Sequence, residues 1–71
     1  MVLPMEMLDE LINSTVSLLL KDGRTVEGKL TGYDAYMNIV VEDAQEKDGD
    51  NVKRLGKVVL RGNSITSILQ A

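Results

Sequence analysis

The chain of 71 residues has no cysteine, histidine, phenylalanine or tryptophan, and one proline. Without cysteine no disulfide can staple it, and without cysteine or histidine the usual structural zinc ligands are missing as well. Catalysis loses the same residue types, and no serine or lysine stands beside a recognisable base. The adjacent carboxylates Glu42 and Asp43 do not form a dyad, because neighbours on a strand point to opposite faces. There is no Gly-rich loop to cradle a phosphate. The sequence therefore reads as a non-enzyme with no metal and no cofactor. Long apolar runs are also lacking: none approaches the roughly 18 residues that span a bilayer. The N-terminus has neither a basic stretch nor a cleavage site, so an intracellular, cytoplasmic protein without membrane contact is expected. A net charge of −3 argues against a wide basic face that grips duplex DNA, but leaves room for a small, local nucleic-acid site.

What is present is an ordinary globular composition on a short chain. A domain of this length hides only about 60% of its unfolded surface, so its core is marginal without outside help. With disulfides and metal excluded, self-association is the expected supplement. No internal repeat or low-complexity segment divides the chain, and one domain over residues 1–71 is expected.

In order, Pro4 and Glu6 open a helix over about residues 4–12, proline suiting the first turn and the acid the positive end of the dipole. Met5, Leu8, Leu11 and Ile12 recur on one face, as in a helix that covers an open end of a β core. From Thr15 to Lys21 the pattern alternates, with Val16, Leu18 and Leu20 inward, and Asp22-Gly23 is a hairpin signal. The next strand sets Val26, Gly28, Leu30 and Gly32 against a polar face of Thr25, Glu27, Lys29 and Thr31. Two inward glycines imply sharp bending. Met37 to Asp43 reads as a third strand and Glu46 to Asn51 as a polar turn. A calcium-loop reading of that turn fails, because Ala44 and Leu55 occupy the positions that need carboxylates. Val52–Arg61 and Ile65–Leu69 complete five strands, separated by a Gly62-Asn63-Ser64 turn so tight that a glycine is natural there. Val58-Val59-Leu60 is apolar on both faces, so it is either central or covered by another subunit. The sum is a small all-β protein: a strongly bent five-stranded antiparallel barrel, closed or nearly so, behind a short helix.

Two irregular segments lie at strand junctions, Asp34 to Asn38 and Arg61 to Asn63, and in a barrel they can share one end. If the first is extended, Asp34, Tyr36 and Asn38 project together, while Tyr33 falls on the other parity as a packing residue. A tyrosine ring and an arginine plane can sandwich a base whose edge an asparagine amide reads. Spacing alone leaves the alternative open that Tyr36 merely packs. Lys21, Arg24, Lys29, Lys53 and Lys57 are scattered and read as solvated charges.

Gly23 to Glu46, with Gly28, Gly32, Asp34, Met37 and Asn38 in place, resembles the first Sm motif, and Val59-Leu60-Arg61-Gly62-Asn63 resembles the second. The resemblance covers nearly the whole chain, the two motifs spanning about residues 15–46 and 52–69, and is greatest to the archaeal Sm-like proteins. It implies that the fourth strand of one subunit pairs with the fifth of the next to close a homo-oligomeric ring, typically a heptamer. It implies uridine-rich single-stranded RNA at the inner rim, in RNA processing or ribonucleoprotein assembly, with RNA-processing proteins as further partners. Carried over, Asn38 hydrogen-bonds the uracil edge, Arg61 and Tyr36 stack on its two faces, and Asp34 orients the Asn38 amide. Gly62 and Asn63 complete the pocket. Tyr36 departs from the histidine common in archaeal members. Two rivals stay open: a ring-shaped assembly scaffold with the RNA site unused, and a monomeric small-barrel module. Val59→Asp is expected to break the ring and unfold the chain, because a buried lone carboxylate is costly.

Overall fold

Alternating apolar side chains and a tight Asp-Gly turn organise the first half of the sheet. In the computed structural model, which describes residues 5–71, helix α1 (Met5–Leu11) leads into β1 (Thr15–Leu20), β2 (Thr25–Tyr33), β3 (Asn38–Asp48), β4 (Asn51–Arg61) and β5 (Ile65–Gln70). The expected helix start at Pro4 lies outside the described residues. Val16, Leu18 and Leu20 of β1 are buried with Val26 and Leu30 of β2, Ile39, Val41 and Ala44 of β3, and Ile65 of β5. The inward parity expected for the first two strands holds. Gly23 takes the left-handed backbone that the β1–β2 turn demands (φ 92°), and its N–H donates to Leu20 O at 3.0 Å.

A seven-residue helix is too short to stand by propensity, so α1 persists by packing. Leu8 is fully buried and Leu11 and Ile12 lie against the core, as the apolar stripe predicts. Burying a leucine completely contributes about 1.5–3 kcal/mol. Asn13 adopts a left-handed conformation just past the helix (φ 69°), and its N–H donates to Leu30 O at 2.7 Å while Leu30 N–H donates to Ser14 O at 3.0 Å. The helix end is thereby sewn to β2.

The strands form one antiparallel sheet in the order β4-β3-β2-β1-β5. Its bend follows a line of irregularities across three strands: the β2–β3 register shifts between Glu27 and Lys29, and β3–β4 shifts between Val41 and Ala44. Asp43 (φ 52°) and Gly56 (φ 73°) absorb the bulges. A Cβ on Gly28 would lie 2.6 Å from Val41 Cγ1 and 2.8 Å from Glu42 O, so only glycine lets β3 cross that closely. Gly32 lies at a second register shift, between Leu30 and Gly32, but a Cβ there would meet open space. The glycine-dependent close crossing belongs to Gly28.

Two expectations change, and one open choice is decided. The third strand does not stop at Asp43: it continues to Asp48, and the turn shrinks to Gly49-Asp50, with Asp48 opposite Asn51. Charge pairing across strands explains the extension, since Lys47 Nζ lies 3.1 Å from Glu27 Oε2 and Arg24 reaches Glu46. Second, the choice left open for Val58-Val59-Leu60 is decided against a central strand. β4 is an edge strand, Val58 and Leu60 pack on the core, and Val59 is 62% exposed. β5 is the opposite edge and leaves Leu69 64% exposed, so among the described residues the sheet does not close on itself. Third, the link from β4 to β5 is a single 3-10 turn, Gly62–Ser64, and Gly62 is not in a left-handed conformation.

Candidate functional site

The segment after β2 is a tight loop rather than the extended run the alternation predicts. Met37 N–H donates to Asp34 O and Asp34 N–H to Asn38 O, each at 3.1 Å, and Met37 takes a left-handed backbone (φ 64°). Asp34 builds this loop with its side chain. Its Oδ1 accepts from the N–H groups of Tyr36 (2.9 Å) and Asn38 (3.0 Å), and its Oδ2 accepts from Asn38 Nδ2 (3.0 Å). Aspartate suits such a loop because its short carboxylate caps backbone donors two to four residues on. The Asn38 amide bond, followed by the backbone bonds from Asn38 and Tyr36, holds the Asp34 carboxyl below its ordinary range against the opposing effect of desolvation.

A carboxylate only accepts, so the Asn38 group facing Asp34 must be the NH₂. The remaining amide N–H and Oδ1 are left for another partner. Tyr36 at the loop tip is 87% exposed, so its side chain does not pack within its own chain. Tyr33 packs against the core and donates its hydroxyl proton to Asp9 of α1. That bond first, with partial burial and the Asp9 charge, raises the Tyr33 pKa.

The second segment meets the first directly. Asn38 and Arg61 are register partners at the end of the β3–β4 pair, closer than two junctions that merely share one end. Arg61 is exposed and takes part in no ion pair among the described residues. Tyr36, Asn38, Arg61, Gly62 and Asn63 line one open concavity of about 380 Å³. Asp34 stands behind Asn38 rather than in the lining. Lys21 N–H donates to Ser64 O at 3.0 Å, tying the 62–64 turn to the β1–β2 hairpin. All six residues singled out in the sequence therefore meet at one place. Met37 was not among them: its part is played by its backbone, and nothing in the identity of a methionine announces a left-handed conformation.

Chemically, the concavity offers an aromatic face, a guanidinium plane, and an amide edge with one donor and one acceptor. Among the described residues two other cations, Arg24 and Lys47, are held in ion pairs, unlike Arg61. Arg24, for example, is held by Asp22 (2.7 Å) and Glu46, and its charge is largely spent there.

Known proteins resemble this chain throughout. The LSM domain model matches residues 6–70. An snRNP Sm-like protein of Methanococcoides burtonii is 39% identical over 66 residues, 92% of each chain. Among solved structures, the Pyrococcus abyssi Sm protein in complex with a uridine heptamer superposes with a TM-score of 0.88 at 32% identity, covering 99% of this chain and 100% of that one. A heptameric archaeal Sm protein superposes with a TM-score of 0.85 at 30% identity, covering 93% of this chain and 97% of that one.

Proposed function

The chain belongs to the LSM domain family, and from that premise we propose that it forms a homo-oligomeric ring, a heptamer, and binds uridine-rich single-stranded RNA at the inner rim. The observation that supports the RNA reading is the concavity in which exposed Tyr36, exposed Arg61 and the Asp34-held amide of Asn38 converge. Tyr36 and Arg61 stack on the two faces of one base. Asn38 donates to uracil O4 and accepts from N3–H, while Gly62 and Asn63 close the pocket floor. A locked amide discriminates, because cytosine and adenine present an acceptor where uracil presents N3–H. A solved Sm protein carrying a uridine heptamer supports the same ligand.

The ring reading is supported by the two uncovered edges of the sheet. β4 of one subunit adds to β5 of the next, satisfying backbone groups that an isolated chain leaves open and covering Val59 and Leu69. Such a contact is head-to-tail and ends in closure or in a filament. Repeated around a pore, Arg61 makes a cationic circle on a subunit that is acidic overall. We read the chain as one domain with motifs over about residues 15–46 and 52–69. The ring works without catalysis or cofactor, in the cytoplasm, in RNA processing or ribonucleoprotein assembly. No described helix is long and apolar enough to cross a membrane.

Binding of labelled oligo-uridine against oligo-adenosine of equal length tests the pore site. Preference for uridine, lost on Asn38→Ala with the ring intact, is the expected result. Equal binding of both, unaffected by Asn38→Ala, would leave the scaffold reading in its place.

A further inference from the structure

We propose that Met37 is a positioning residue for base binding: its left-handed backbone turns its carbonyl onto Gly62, latching the Tyr36–Asn38 half of the pocket to the Arg61–Asn63 half. Three observations carry this. Gly62 N–H donates to Met37 O at 2.7 Å, a short bond between the two segments. Met37 is one of three non-glycine residues with positive φ among those described, at 64°. A Cβ on Gly62 would lie 2.8 Å from Met37 Cβ and 2.9 Å from Met37 O, so the approach excludes every other residue. Gly62 is thus required for closeness, not for the turn, which corrects the reading of the tight 62–64 turn. The Met37 side chain packs on the core, but the link itself is made by backbone atoms alone.

The consequence is geometric. Tyr36 and Asn38 flank Met37, and Arg61 and Asn63 flank Gly62, so this hydrogen bond extends the Asn38–Arg61 strand pairing into the loops and helps set the distance between the stacking planes. Loosening it misplaces both planes at once, and a binding site whose supporting contacts are loose loses the geometry its ligand needs. The inference rests on the base-binding reading of this concavity.

The test is a variant series read by oligo-uridine and oligo-adenosine affinity, with mass by light scattering on each protein. Gly62→Ala inserts the clashing Cβ, and Met37→Val puts a β-branched residue where φ is positive. Each is expected to weaken oligo-uridine binding by about tenfold or more, with ring mass unchanged. Met37→Gly keeps the carbonyl and suits the backbone, so its affinity should stay within about threefold of the unaltered protein. Gly62→Ala combined with Met37→Gly removes one of the two clashing atoms and should bind more tightly than Gly62→Ala alone. The proposal is overturned if Gly62→Ala binds normally, if Met37→Gly is as weak as Met37→Val, if the double variant recovers nothing, or if Gly62→Ala and Met37→Val both lose the ring. Should the unaltered protein show no uridine preference, or Asn38→Ala no loss, the base-binding reading itself falls. A latch that fails while the uridine preference stands is a different outcome.

Discussion

Asp34 shows how much one side chain organises. It caps two backbone N–H groups and fixes which end of the Asn38 amide faces outward. Asp34→Asn presents an NH₂ to the Asn38 NH₂, so the amide should turn over and reverse its donor–acceptor order. Oligo-uridine affinity is expected to fall about tenfold and oligo-cytidine to gain on it, as competition binding would show. The same residue sets the acid limit. Its folded pKa is lowered below the ordinary 3.8, so its stabilisation is complete above that value and is lost as pH falls through the lower one. With no histidine in the chain, binding should be flat between about pH 5 and 8 and fail only in strong acid. A titration with a midpoint near 6 would contradict this. The identities of Tyr36, Asn38 and Arg61 were legible because aromatic, amide and guanidinium groups at irregular junctions have a shared chemistry. The loop that joins them was not, since alternation cannot distinguish a strand from a carboxylate-capped turn.

At the level of elements, the sheet's curvature depends on Gly28 and the bulges at Asp43 and Gly56 beside it. Gly28→Ala drives a methyl into Val41 and the Glu42 carbonyl. Overpacking of this kind costs about 1–3 kcal/mol, to be read as a lower denaturation midpoint with little effect on which RNA is preferred. An unchanged midpoint would show that β3 can shift aside. The inward faces of β1 and β2 were readable because period-two alternation and a buried face specify each other. The far half of β3 was not: Glu46, Lys47 and Asp48 look like a solvated turn until cross-strand partners neutralise the first two.

For the molecule as a whole, the open edges decide the outcome. Val59 is exposed in the single chain, so Val59→Asp places no carboxylate in the subunit's own core. The substitution should therefore separate the ring without unfolding each chain, contrary to the expectation from its apolar setting. Light scattering should report about 55 kDa for seven chains of 7.8 kDa, falling toward a single chain in the variant. Retention of the full mass would place the interface elsewhere.

The order of residues was enough to call for a small bent antiparallel barrel behind a helix, for the inward faces of β1 and β2, and for the six residues of the candidate site. The strands and the set Tyr36, Asn38 and Arg61 follow from local chemistry: periodicity, turn propensity, and side chains whose polarity limits where they can stand; Asp34, Gly62 and Asn63 as pocket residues came from the resemblance to the Sm motifs. The strand order β4-β3-β2-β1-β5 came only from the folded chain, and it leaves as edges the two strands that the Sm resemblance pairs between subunits. Pairing between distant segments depends on the sum of many contacts, not on any one of them. The Met37–Gly62 latch belongs to the same category, because it is made by backbone atoms that every residue carries and that only the fold brings within 2.7 Å.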